Sequence, residues 1–439
     1  MAGLPEEPGP LPSAGLFGSA PVETKAEETL DRSSWLLRFC VAYAFIMLVF
    51  LNYAAVLPLV QREWGLSNSA AGMIFSAYQV GYILSATVLT YLTDRFRART
   101  IFLISASWSV LANVLFAMFA VDESTAIIYR ALAGLGMGGT YMPGLKLVAD
   151  RFPSQERGRA VGYFTSAFVF GAAASTLLTG VIGGLAGWRL AILTTAAGTM
   201  VGTLLCLVLL QDDRGVPAAD RSRQLRLEVL RQKPALLLII AYAAHMWEQY
   251  GMRAWMAAFL TVAFLNSGHG KGESAAYGGS LTAIIVAAGG FSTWLAGMLS
   301  DRLGRTQTSR AIMLVSAAFS LSFGWLLGLP TALLVVVGVA YSFFVVAETP
   351  VLSAGLTELV PGHSVGAAMG LQTLVGFLAA TASPTVFGWV LDWTNPTVNP
   401  PATWGWAFTI LGVGALIGPV AVSLARRYPE SARMAGGKR

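Results

Sequence analysis

The 439 residues are 55% hydrophobic and only 12% charged, about half the charged share of a soluble domain. That balance excludes a disordered chain, a secreted disulfide scaffold and a water-soluble enzyme. Cys40 and Cys206 each sit inside an apolar run, so they supply neither a disulfide framework nor metal spacing. The net charge of +6 falls in short gaps between apolar runs; such a pattern sets membrane topology and is not that of a nucleic-acid arm.

Residues 1–34 are Pro-rich, carry Glu6, Glu7, Glu23, Glu27, Glu28 and Asp31, and contain no apolar stretch before Trp35. They read as a disordered cytosolic tail and not as a signal peptide. A spanning helix needs about 20 mostly apolar residues. Twelve candidates follow, near 35–60, 69–92, 101–121, 124–148, 159–185, 189–210, 235–263, 275–298, 309–329, 331–358, 365–391 and 404–425. The connections are short except 211–233, where Leu225, Leu227, Val229 and Leu230 suggest a surface helix among charges. The expected organisation is a six-helix bundle over 35–210, a cytosolic linker over 211–233, a second six-helix bundle over 234–425 and a tail over 426–439.

Of the 29 Lys and Arg residues, only Arg62, Arg189 and Lys271 fall in loops on one side, while Arg130, Lys146 and Arg253 fall within spans. All the others lie on the side of both termini, which the positive-inside rule makes cytosolic. The expected location is the inner or plasma membrane.

The halves repeat. Leu92-Thr93-Asp94-Arg95-Phe96 matches Leu299-Ser300-Asp301-Arg302-Leu303 at an offset of 207, Pro143 matches Pro350 at the same offset, and Gly158 and Gly162 match Gly366 and Gly370 at 208. The fold class is therefore all-α integral membrane, with twelve transmembrane helices in two pseudo-symmetric bundles. Solute sites in such pairs lie near the midplane, between the halves.

These landmarks resemble the major facilitator superfamily over nearly all of 35–425. Its first signature, G-x-L-x-D-R-x-G-R, stands as Gly297-Met298-Leu299-Ser300-Asp301-Arg302-Leu303-Gly304-Arg305. In the first half Thr90, Arg97 and Ala98 replace consensus residues, while Asp94, Arg95 and Arg99 remain. Its second signature appears as Arg130-Ala131-Leu132-Ala133-Gly134-Leu135-Gly136. The antiporter signature of the fifth span is absent, since that span has no proline. The resemblance implies alternating access, with Asp94, Arg95, Asp301, Arg302 and Arg305 as a cytosolic gate. It also implies a part for Arg130 in proton or substrate coupling. Gly134, Gly136 and Gly139 also fit G-x-G-x-x-G, but no strand precedes them, so they read as helix-packing residues.

Ionisable residues inside spans are expensive and mark function. The seventh span carries His245, Glu248, Gln249 and Arg253 within an arc of about 140°. That arc is expected to face a central cavity. Glu248 and His245 are candidate proton carriers. Glu348, beside Pro350, pairs with a gate arginine or carries a proton. Tyr78 and Gln79 near the middle of the second span could hydrogen-bond solute, and Asn52 and Tyr53 lie in the outer half of the first span. Lys146 reads as a snorkelling residue.

The leading reading is a secondary active transporter of a small organic, anionic or zwitterionic solute, with the proton as coupling ion. The alternatives are a proton-driven exporter of amphipathic drugs and a non-transporting sensor on the same fold. The expected partners are solute, proton and bilayer, with no cofactor, metal or nucleic acid, and the protein is expected to be a monomer. No nucleophile–base spacing, metal cluster or Walker loop suggests an enzyme.

Overall fold

A computed structural model describes residues 22–92, 96–210, 229, 231–397 and 400–438. The tail before residue 22 and most of the 211–233 linker, including its expected surface helix, lie outside the described residues, as do Asp94 and Arg95. The described chain is helical and makes twelve antiparallel passes.

The first pass is α1 (Val22–Ile46) and α2 (Asn52–Trp64), separated by a break at residues 47–51. The next five are α3 (Asn68–Leu92), α4 (Ala98–Phe119), α5 (Glu123–Arg151), α6 (Ser154–Ala186) and α7 (Trp188–Leu209). The second bundle holds α8 (Lys233–Asn266), α9 (Lys271–Leu303), α10 (Arg305–Phe323), α11 (Thr331–Leu359) and α12 (Val365–Thr394). Its last pass is α13 (Gly405–Ala415) and α14 (Ile417–Ala425). Among the described residues, nine helices are long and apolar enough to cross a membrane; the passes of α3, α5 and α8 fall outside that set. The exceptions α5 and α8 carry Arg130, Lys146, His245, Glu248 and Arg253, so polar cargo dilutes their hydropathy.

Helix begins at Val22, so 22–34 departs from the expected disordered tail. That stretch contains Lys25, Ala26, Glu27, Glu28 and Leu30, all good helix formers, and it extends an apolar helix already nucleated. The turns have local causes. Asp122 and Thr125 form a capping box at the start of α5. Gly304, the second glycine of the signature, joins α9 to α10 at φ +97°, a conformation that disfavours side chains. The equivalent Arg97 has φ −61°, so the first half needs no glycine there.

The two bundles meet through α3 against α12 and α6 against α9, with α2 also touching α8 and α9. Call the side bearing both chain ends the terminal face, and the other the far face. Near the far face the bundles pack backbone to backbone. A Cβ on Gly72 would lie 2.3 Å from the Pro384 carbonyl oxygen, and one on Gly180 would lie 2.7 Å from Gly279 Cα. Gly184 meets Gly272, and Gly388 meets Asn68, as closely. Small residues allow this approach in a membrane, where dispersion replaces the hydrophobic drive. Near the terminal face Gly158, Gly162, Gly297, Gly366 and Gly370 have no such neighbour within 4 Å. The bundles are thus in backbone contact at the far face, whereas these glycines of the terminal half have open space beside them.

Asp392, at the far end of α12, strengthens the closure. Its carboxylate accepts from the backbone N–H groups of Asn68 and Ser69 and from Asn68 Nδ2, all at 2.8 Å. It therefore caps α3 from the opposite bundle, where the helix dipole favours an anion. Ser76 and Thr385 hydroxyls meet at 2.9 Å on the same seam. Gly72→Val overpacks this seam at a cost of about 1–3 kcal/mol, and Asp392→Asn weakens the cap. Each is expected to raise far-face labelling of a cysteine introduced at Ser69 by about fivefold or more. Unchanged labelling in both would mean that the seam does not hold this state.

Candidate functional site

Arg130 sits on α5 two turns inside the far end and is wholly buried. The break in the first pass brings Asn52 beside it. Asn52 Oδ1 accepts from Arg130 Nη1 at 3.1 Å, and its Nδ2 donates to Asn113 Oδ1 at 3.0 Å and Thr195 Oγ1 at 3.2 Å. One asparagine thus joins the passes of α2, α4, α5 and α7. The guanidinium carbon lies 4.5 Å from the Tyr78 ring centroid, 5.4 Å from Tyr53 and 5.8 Å from Phe116. This aromatic cage favours a cation.

The cage leaves charge uncompensated. Among the described residues no carboxylate lies within ion-pair distance of Arg130, and its Nε and Nη2 have no hydrogen-bond partner. Those two atoms form the edge that grips carboxylates bidentately. The same protein shows that edge in use elsewhere: Arg305 Nε and Nη2 hold Glu358 Oε1 at 3.3 and 2.8 Å. Tyr78 Oη and Gln79 Oε1 are also buried without partners.

The expected single polar face of α8 divides in two. At one edge Glu248 accepts from Ser316 Oγ at 2.7 Å and Ser320 Oγ at 2.6 Å on α10, and the Ser320 hydroxyl also meets Tyr341 Oη. His245 Nε2 meets Thr349 Oγ1 at 2.8 Å. Its Nδ1 lies 3.2 Å from Glu348 Oε2, within ion-pair distance but outside hydrogen-bond alignment. These groups are buried inside the second bundle, among α8, α10 and α11, and not in the central cleft as expected. The reason is that α10 and α11 supply hydroxyls and a carboxylate at the right height. Glu348 accordingly faces His245 and not a gate arginine.

The other edge meets the first bundle. Phe377 of α12 lies between Tyr82 and Tyr250, with ring centroids at 4.5 and 5.6 Å. The Arg253 guanidinium lies 5.8 Å from the Tyr250 ring centroid. Arg253 is 7% exposed, without the reach to solvent that snorkelling requires. No described carboxylate pairs with it. Gln249, between the two edges, is also buried.

At the terminal face Arg305 ties its own bundle together. Its Nη1 lies 2.6 Å from Asp301 Oδ1 and its Nη2 2.8 Å from Glu358 Oε1. The C-terminal segment joins this network: Ala435 N donates to Glu358 Oε2 and Lys438 Nζ to the Asp301 carbonyl. Arg302 is exposed in the same turn. The ion pairs of Arg305 at this face stay within the second bundle. Lys146 pairs with Asp150 at 2.7 Å at the end of α5.

Sequence reasoning missed Asn113, Thr195, Ser316, Ser320, Tyr341, Thr349 and Asp392. Ser316 and Ser320 carried a signal, since i and i+4 hydroxyls share a helix face. Asp392 carried another, as an acid at the end of an apolar span.

A family model for the Major Facilitator Superfamily matches residues 39–347 and 271–439. A probable sulfoacetate transporter, SauU, of Cupriavidus necator is 26% identical over 86% of this chain and 90% of its own. A probable galactarate/D-glucarate transporter, GudP, of Bacillus subtilis is 26% identical over 87% and 90%. A solved bacterial homolog of the human lysosomal transporter Spinster, inward-facing and occupied, superposes with a TM-score of 0.72 at 18% identity, covering 90% of this chain and 97% of that one.

Proposed function

Because the chain belongs to the Major Facilitator Superfamily, and so is a multi-pass membrane transporter of solutes and not an enzyme, we propose that it carries a small organic anion by alternating access, coupled to a proton. The observation that carries this reading is the unpartnered Nε/Nη2 edge of buried Arg130. A guanidinium in a low-dielectric site without a counter-charge is costly, and an acidic solute supplies the missing charge. The sulfoacetate and galactarate/D-glucarate of the named relatives agree in kind. A fixed buried cation repels cationic amphipaths, which argues against the drug-exporter reading.

The proton site is the Glu248, His245 and Glu348 cluster inside the second bundle. It shares α8 with Arg253, so a movement of that helix reaches both. By the positive-inside asymmetry we assign the terminal face to the cytosol and place the protein, as a monomer, in the inner or plasma membrane, with the close glycine packing on its outer side. Asp94, Arg95, Asp301, Arg302 and Arg305 close that face in the opposite state.

Counterflow in proteoliposomes tests this reading, with labelled sulfoacetate and D-glucarate under an imposed pH gradient. Exchange of at least one, with accumulation that rises with the gradient, is expected. Exchange of neither, together with exchange of a neutral or cationic solute, would overturn it.

A further inference from the structure

A charged feature of another kind lies on the outside of the second bundle. There α10 and α14 pack against each other and against other helices of that bundle. The last pass breaks at Leu416, because Pro419 has no N–H to offer the Ala415 carbonyl. Past the break α14 touches α10 at Gly418, which lies against the Met313 side chain. Beside that contact the two helices leave a furrow of about 490 Å³. Its walls include Leu314, Leu416, Val420 and Leu424, all exposed apolar side chains. Ser423 also lines it, but its hydroxyl donates to the Pro419 carbonyl at 2.6 Å. Arg310, in the first half of α10, and Arg427, just past the end of α14, crown the furrow at its terminal-face end. Both arginines are exposed. Among the described residues neither guanidinium has a hydrogen-bond or ion-pair partner, and no acid lines the furrow.

We propose that this furrow binds one anionic phospholipid of the leaflet at the terminal face, with its phosphate between Arg310 and Arg427 and an acyl chain along Leu314, Val420 and Leu416. Charge supports the assignment: two guanidiniums without an acid beside them complement a phosphodiester, whose oxygens can accept from both. Depth supports it as well. From Leu416 to Arg427 the helix rises about 17 Å at 1.5 Å per residue, close to the ~15 Å of hydrocarbon in one leaflet. The cations therefore stand at headgroup level and the apolar walls at chain level. Basic pockets between helices at that level select anionic headgroups. The positive-inside rule asks for arginines at this face, but it does not ask that two unpaired ones share one apolar furrow. Any bilayer lipid can lay a chain in the furrow, so preference for the headgroup is the property that marks a site.

The test is native mass spectrometry of the purified full-length chain, titrated in detergent with phosphatidylglycerol or with phosphatidylcholine of the same acyl chains. A single phosphatidylglycerol is expected to bind at a concentration about tenfold or more below phosphatidylcholine. Arg310→Gln combined with Arg427→Gln should remove that preference. Val420→Trp fills the furrow, leaves both arginines in place and should weaken the same adduct about tenfold. Arg157→Gln combined with Arg159→Gln takes equal charge from an exposed turn of α6 and should leave the preference unchanged. Glycerol 1-phosphate, a headgroup without chains, should not displace the lipid at about a hundredfold excess. Equal binding of the two lipids by wild type overturns the site. So does a preference that survives either change in the furrow, or one that is lost equally in the α6 control. Displacement by glycerol 1-phosphate would assign the arginines to a soluble anion and overturn the lipid.

Discussion

Arg130→Gln is expected to abolish solute binding and counterflow, with a loss of about 100-fold or more, while the protein remains monodisperse in detergent. The estimate follows from removing one partner of a desolvated, charge-assisted pair, which costs about 2–5 kcal/mol. Glutamine is too short to replace the Nη1 bond to Asn52, but Asn52 keeps its bonds to Asn113 and Thr195, so the polar junction of the first bundle persists. Arg130→Lys separates charge from shape. Lysine keeps the cation but lacks the fork, so it should retain weak binding, about tenfold or more below wild type. Wild-type counterflow in Arg130→Gln would show that Arg130 only holds the bundle together through Asn52.

The second large effect is on coupling. A gradient of one pH unit is worth about 1.4 kcal/mol per proton, or about tenfold in accumulation. Glu248→Gln keeps an acceptor for Ser316 and Ser320 but cannot exchange a proton. Glu348→Gln does the same opposite His245. Both variants are expected to lose accumulation driven by the pH gradient and to keep counterflow within about threefold of wild type. Flux measured with and without the gradient separates the two quantities. Accumulation that still follows the gradient in both variants would remove the proton from this cluster.

Much of the architecture was legible in the sequence because lipid imposes a strong rule: apolar runs of fixed length must become helices. The offset of 207 between Asp94 and Asp301, and between Pro143 and Pro350, exposed the repeat. Arg130, His245, Glu248 and Arg253 stood out because charge in a span is rare. Their neighbours were not legible. Hydrophobic periodicity does not say that Ser316 and Ser320 reach Glu248, since serines are common in spans and their partner lies 68 and 72 residues away. The polar residues of α8 form a stripe in the sequence, but a stripe does not specify which helix covers which edge. That depends on packing between α8, α10, α11 and α12. The break at residues 47–51, which places Asn52 against Arg130, likewise has no proline or glycine to announce it. Helix at 22–34 was missed because charged composition outweighed local propensity in the reading.

A structure of the protein determined with a bound acidic solute tests the central claim most directly. The account predicts two acidic oxygens of the solute within about 3 Å of Arg130 Nε and Nη2, one on each nitrogen. A solute seated elsewhere in the cleft, with that edge of Arg130 turned to a protein carboxylate, would contradict it.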